Sequence, residues 1–187
     1  MNQNAIETRN NLLEAFLRIY ETNRIAQVTV KEICRIAGYN RSTFYNHFND
    51  VPSMLNEIED DTLLIIEHTV RKLTAEEIFH TDAIFAALKV IYHNNQHKMF
   101  ILMTKPDSHF PQKLKGLMEE VITGFFQDLS MGDNRKLKVA ISYHFSAIIG
   151  VMAHMMQNRE LLDISQVIDY VKEFSQEGVL TAIKKMN

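Results

Sequence analysis

The sequence predicts an all-α fold of about nine helices, with a three-helix N-terminal head and a longer helical bundle behind it. Three observations carry that prediction. Only six Gly and three Pro occur among 187 residues, against ten Met, so turn-forming residues are too sparse for an all-β chain. Apolar residues recur at spacings of three and four along most of the chain. Helix start and stop signals stand at the edges of those periodic runs.

Residues 5–21 set Leu12, Leu13, Phe16, Leu17 and Tyr20 on one stripe, which predicts an amphipathic first helix. The polar stretch "ETNRIAQ" breaks it. Thr29-Val-Lys-Glu32 reads as a capping box, in which hydroxyl and carboxylate each satisfy an amide of the first turn. A helix from Val30 to about Ala37 follows, burying Val30, Ile33, Cys34 and Ala37, and Gly38 supplies the left-handed residue that stops it. Asn40 is a good N-cap for a short helix from Arg41 to about His47, whose inward side is Phe44 and Phe48. Asp50 caps the next helix, and Pro52 falls harmlessly in its first turn. That helix carries Met54, Leu55, Ile58, Leu63, Ile66 and Val70 over 51–73. Further helices are expected at about 80–94, 96–104, 110–129, 134–158 and 164–185, separated by polar or Pro-containing breaks. The domain boundaries implied are 1–50 and 51–187.

Composition narrows the class. Hydrophobic residues make up 46% of the chain, enough to bury a core. One Cys excludes an internal disulfide framework and fits a reducing cytosol. The N-terminus lacks a basic start followed by an apolar run, so no signal peptide is expected. The longest unbroken apolar runs fall short of the ~18 residues of a membrane span, so no membrane is expected and a cytoplasmic location is. Net charge is −3, divided unevenly: residues 1–55 hold six basic and five acidic residues, residues 56–187 fourteen and eighteen. A nearly neutral head argues weakly against a polyanionic partner and leaves room for a local basic patch.

Two short helices joined at a Gly and braced by a third make a helix-turn-helix. The second helix of that motif enters the DNA major groove with its N-terminal residues toward base edges. The polar face of Arg41–His47 suits that task. Arg41 can give a forked pair of hydrogen bonds to guanine, and Asn46 can pair with adenine. Thr43 offers a methyl to thymine and a hydroxyl to phosphate, while Tyr45, His47 and Thr29 can reach the backbone.

Over "VTVKEICRIAGYNRSTFYNHFNDVPSML", Val28 to Leu55, the chain also resembles the N-terminal module of the TetR/AcrR-type bacterial transcription regulators. Thr29, Ile33, Ala37, Gly38, Thr43, Phe44, Tyr45, His47, Phe48 and Leu55 stand at matching places. The resemblance implies a homodimeric, ligand-responsive regulator, most simply a repressor of a palindromic double-stranded DNA operator. It implies phosphate contacts at Thr29, Thr43, Tyr45 and His47, and places Arg41, Ser42 and Asn46 near bases. One departure stands out. The family usually carries a phosphate-gripping Lys near position 51, where this chain has Asn49, Asp50 and Val51, so weaker DNA binding is expected. That departure also motivates an alternative, an adaptor that keeps the fold and works mainly through protein contacts.

The longer part has two features. Residues 138–158 carry small residues, Ser146 with Gly150 and Ala147 with Ala153, among bulky Ile, Met and Phe. The last helix repeats Val167, Ile168, Val171, Phe174, Val179, Leu180 and Ile183. Periodicity predicts only an apolar helix pair; the resemblance makes that pair, about 134–158 and 164–185, the homodimer interface. Residues 79–126 are rich in Phe, Met, Tyr and His, which suits plain core or a cavity for an unknown small-molecule effector. Tyr92, His93, Tyr143 and His144 are the candidates for orienting it. His93 and His97 have a metal-compatible spacing, but the "NNQ" between them breaks the helix, so no metal and no cofactor are expected. No nucleophile elbow, phosphate-binding Gly loop or dinucleotide fingerprint is present, so no enzyme is expected.

Overall fold

A computed structural model describes residues 3–74, 82–128, 135–158 and 164–178. Among them the chain forms α1 (Gln3–Tyr20), a 3₁₀ turn (Ile25–Gln27), α2 (Val30–Ala37), α3 (Arg41–Tyr45) and α4 (Val51–Val70). After these come α5 (Asp82–Asn94), α6 (Gln96–Thr104), α7 (Phe110–Asp128), α8 (Arg135–Gln157) and α9 (Ile164–Glu177). The described residues are therefore all-α, as expected. Two ends differ from the sequence-based expectation: α3 closes at Tyr45, with Asn46 and His47 in a following turn, and α4 closes at Val70. Val179, Leu180 and Ile183 lie outside the described residues, as does Phe79.

The chain divides into two compact units, Met1–Thr62 with Lys105–Ser108, and Leu63–Thr104 with His109–Asn187. The division falls within α4 rather than at residue 50, because the first three turns of that helix belong to the core of the first unit. Val51, Met54, Leu55 and Ile58 are buried, as are Leu12, Phe16, Ile33 and Phe44 of the same unit. Each such side chain contributes about 1.5–3 kcal/mol relative to exposure. Arg9 of α1 adds a polar tie, donating to Glu57 at 2.7 Å and Asp61 at 3.2 Å on α4.

The segment Lys105–Ser108 belongs to this first unit. Asp107 Oδ2 accepts from the Ile25 amide at 3.0 Å, and Lys105 Nζ donates to the Glu21 carbonyl at 3.3 Å. The same ammonium lies 5.0 Å from the centre of the Tyr20 ring. Ser108 Oγ donates to Glu59 Oε1 at 2.9 Å, and Glu59 is fully buried. A carboxyl at a core position is tolerated only with such donors.

In the second unit α8 is the central helix, packed against α6, α7 and α9, while α9 also meets α5. Its buried stripe is Leu137, Ile141, Phe145, Ile148, Met152 and Met156. By length and composition α8 is also apolar enough to cross a membrane, with mean hydropathy 1.4 over its best window. Counting unbroken apolar runs in the sequence misses this, because Lys138, Tyr143, His144 and His154 interrupt them.

Candidate nucleic-acid interface

Capping chemistry fixes the α2–turn–α3 unit. Thr29 Oγ1 accepts the Glu32 amide at 3.2 Å, which forms the hydroxyl half of the expected box. α2 then buries Ile33 and Cys34. Burial raises the pKa of the Cys34 thiol, which donates weakly to the Asn40 carbonyl at 3.5 Å, so Cys34 is a core residue. Gly38 ends the helix at φ 76°, ψ 24°, where any other residue except Asn or Asp is disfavoured. Asn40 Oδ1 then accepts the Thr43 amide at 2.8 Å and starts α3.

Two aromatic side chains set the orientation of α3. Phe44 is fully buried and Phe48 nearly so, with ring centres 5.7 Å apart. The Arg9 guanidinium lies over the Phe48 ring at 5.6 Å, so the ion pairs to Glu57 and Asp61 also brace this anchor. Phe44 points inward, whereas Arg41 at the start of α3, Ser42, Tyr45 and Asn46 in the turn after it are exposed, and Tyr45 retains 58% of its surface. Tyr45 stands edge-on to Phe44 at 5.3 Å, which holds its phenol away from the core. Thr43 and His47 are half-buried at the margin of this face, and Thr29 is exposed at the start of α2.

The roles of the hydroxyls change. Thr43 Oγ1 donates to Asn40 Oδ1 at 3.0 Å, so its hydrogen is engaged within the turn. Thr29 Oγ1 is used as an acceptor and still carries a hydrogen to donate. Where a basic residue was expected near position 51, Asp50 instead caps α4, accepting the Ser53 amide at 2.7 Å while its own amide donates to Ser53 Oγ at 3.2 Å.

Sequence reasoning missed three supports. Asn11 Nδ2 donates to the Tyr39 hydroxyl at 3.1 Å, tying α1 to the turn. Lys31 and Arg35 are exposed on α2 and add positive charge to the head. Glu59 was legible: it stands on the apolar stripe Leu55, Thr62, Ile66, where a carboxylate signals a buried partner.

The second unit holds an apolar cavity of about 50 Å³, lined by Phe85, Ile91, Tyr92, Met118, His144 and Met152 among others. Of the four effector candidates, Tyr92 and His144 meet there. Tyr143 does not; it is 67% exposed and lines an open groove of about 800 Å³ between α8 and α9, with Val139, His144, Val171 and Phe174. His93 is exposed near the end of α5, with Nδ1 3.2 Å from Gln96 Nε2. His97 belongs to α6, so the two imidazoles do not share one continuous helix. His144 packs edge-on to Phe145 at 5.4 Å, and burial lowers its pKa below 6.5.

Comparison with known proteins agrees with this architecture, although no family model matches the chain. The HTH-type transcriptional regulator AcrR of Shigella flexneri is 21% identical over 155 residues, 83% of this chain; the chain spans 57% of that protein's length. Three solved structures superpose over nearly the whole chain. The fatty acid degradation regulator FadR of Bacillus halodurans matches with TM-score 0.66 at 13% identity, covering 92% of this chain and 94% of that one. SmeT, solved in complex with triclosan, gives 0.66 at 18% identity, with the same 92% and 94% coverage. The fold is that of the TetR/AcrR-type regulators. A third such match is the dihydroxyacetone kinase operon activator DhaS, TM-score 0.65 at 17% identity, covering 96% of this chain and 97% of that one. The likeness in fold thus extends over 92–96% of the chain and not only over the 28-residue motif Val28 to Leu55.

Proposed function

We propose that this chain is a cytoplasmic transcriptional regulator, most simply a repressor. It would act as a homodimer on a palindromic operator and be released or engaged by a small molecule. The observation that carries the reading is the face of α3. Arg41, Ser42 and Tyr45 on that helix and Asn46 in the turn after it are exposed while Phe44 and Phe48 are buried, an arrangement that presents side chains to base edges and phosphates. Two such helices would enter successive major-groove faces about 34 Å apart.

Dimerisation through α8 and α9 is supported by the large apolar side chains they leave outside. Val139, Phe174 and Tyr143 are 69%, 69% and 67% exposed, and Tyr170 and Val151 are exposed as well. Ser146, Ala147 and Gly150 lie on the exposed side of α8, where small residues permit close helix approach. The relatives' names support regulation, and SmeT's complex with triclosan shows that a protein of this fold takes a small molecule. In this chain the apolar cavity with Tyr92 and His144 is the corresponding candidate site. An effector there shifts the equilibrium only by its unequal affinity for two states. α4 is the natural lever, since it is one helix with residues 51–62 in the first unit and the remainder in the second.

The test is recovery of bound fragments from the source genome, followed by titration at 50 to 200 mM salt. A regulator selects one palindromic site, and its affinity falls steeply with salt. Failure to retain DNA at low salt, with a protein partner recovered instead, would favour the adaptor. That second reading draws its support from Asp50 standing where a basic residue was expected and from the nearly neutral head.

A further inference from the structure

We infer that α8 links effector binding to self-association through His144 and Ile148, and that the effector is a compact, uncharged hydrophobe with one hydrogen-bonding group. The inference rests on the regulator reading and adds the regulation of its effector site. The first observation is size. The cavity holds about 50 Å³, whereas an apolar void known to take up benzene measures about 150 Å³. A ring can therefore enter only by displacing the walls. Met99, Met118 and Met152 give way readily because thioether chains are unbranched and flexible.

The second observation is shared lining. His144 and Ile148, one helical turn apart on α8, border both the cavity and the outer groove between α8 and α9. A wall pushed outward by an occupant enters the groove in which a second copy's helices would pack. Close-packed interfaces respond to such shifts of less than 1 Å. Filling the cavity should therefore weaken association, and by reciprocity association should weaken filling by the same factor.

The third observation is chemistry. Among the described residues the cavity lining contains no Lys, Arg, Asp or Glu, and its polar groups are the Tyr92 phenol and the His144 imidazole. A charged molecule would be buried there without a counter-ion. Burial keeps His144 uncharged at neutral pH, so it offers a neutral nitrogen to a hydroxyl or carbonyl.

The experiment uses the full chain with methyl-¹³C methionine and three probes of one shape: toluene, p-cresol and benzylammonium. Methionine resonances report binding, and sedimentation with subunit exchange reports the dimer dissociation constant. The expected result is that toluene and p-cresol shift the Met118 and Met152 signals while benzylammonium does not, and that p-cresol raises the dimer dissociation constant about fivefold or more. His144→Leu should abolish the preference for p-cresol over toluene. A dimer that binds p-cresol with an unchanged dissociation constant would overturn the linkage and leave the regulator reading intact. Benzylammonium binding as tightly as p-cresol would overturn the effector class. A chain that stays monomeric, or whose methionine signals ignore every probe, would defeat both this inference and the reading beneath it.

Discussion

Replacing Tyr45 with Ala separates the recognition face from the core it stands on. Tyr45 is 58% exposed and its described ring contact is the edge of Phe44 at 5.3 Å and 86°. An aromatic pair contributes about 0.5–1.5 kcal/mol beyond its buried area, and an exposed member falls at the low end. The melting temperature should therefore drop by only about 1–2 °C. Phe44→Ala one residue earlier empties a fully buried site and should cost about 3–5 kcal/mol. On DNA the order reverses. Losing one phenolic hydrogen bond at about 1–1.5 kcal/mol per subunit removes about 2–3 kcal/mol per duplex in a dimer, roughly 30- to 140-fold in affinity. Tyr is neutral, so the slope of log affinity against log salt should not change. Arg41→Gln should instead flatten the slope by ~0.9 for each phosphate no longer neutralised, or erase preference at one base pair if Arg41 reads guanine. Fluorescence anisotropy on the selected operator at 50 to 200 mM salt measures both. A Tyr45→Ala protein that melts normally and binds with unchanged affinity at every salt concentration would refute the assignment of this face to DNA.

Three further outcomes follow from the interior. Ser108→Ala removes the 2.9 Å donor to a fully buried carboxyl oxygen, so calorimetry should show a loss of about 1.5–3 kcal/mol, roughly 3–12 °C; an unchanged melt would mean that other donors suffice for Glu59. Tyr20→Phe should raise stability by about 1 kcal/mol in denaturant titration. The Tyr20 hydroxyl is buried with no hydrogen-bond partner among the described residues, and burial is the chief reason its pKa is raised. The stacking on Phe16 at 5.2 Å survives this change, so a clear destabilisation would show that the hydroxyl is hydrogen-bonded in solution. Burial disfavours the charged form of His144. As pH falls below 6.5 the unfolded chain takes the proton first, so stability is full above that value and declines as acid reaches the lower folded pKa; an NMR titration midpoint at or above 6.5 would contradict the burial.

Local chemistry was the part determined by sequence alone. The caps at Thr29, Asn40 and Asp50, the left-handed Gly38 and the apolar spacing of each helix are decided within a few residues, so order along the chain suffices to read them. The inward turn of Phe44 and the outward Ser42 follow from the same helical period, whereas Arg41, three residues before Phe44, is exposed because it starts the helix. Tertiary structure decided everything that joins distant residues. Sequence order gives no sign that Ser108 would reach Glu59, 49 positions away, or that Arg9 would hold Glu57 and Asp61 while covering Phe48. Nor does adjacency in sequence show that Tyr143 faces the outer groove while His144 also reaches the inner cavity, because successive residues on a helix point about 100° apart and only the packed neighbours define which direction is inside. Thr43 belongs with the local part: the Asn40 cap, three residues earlier, also accepts its hydroxyl hydrogen.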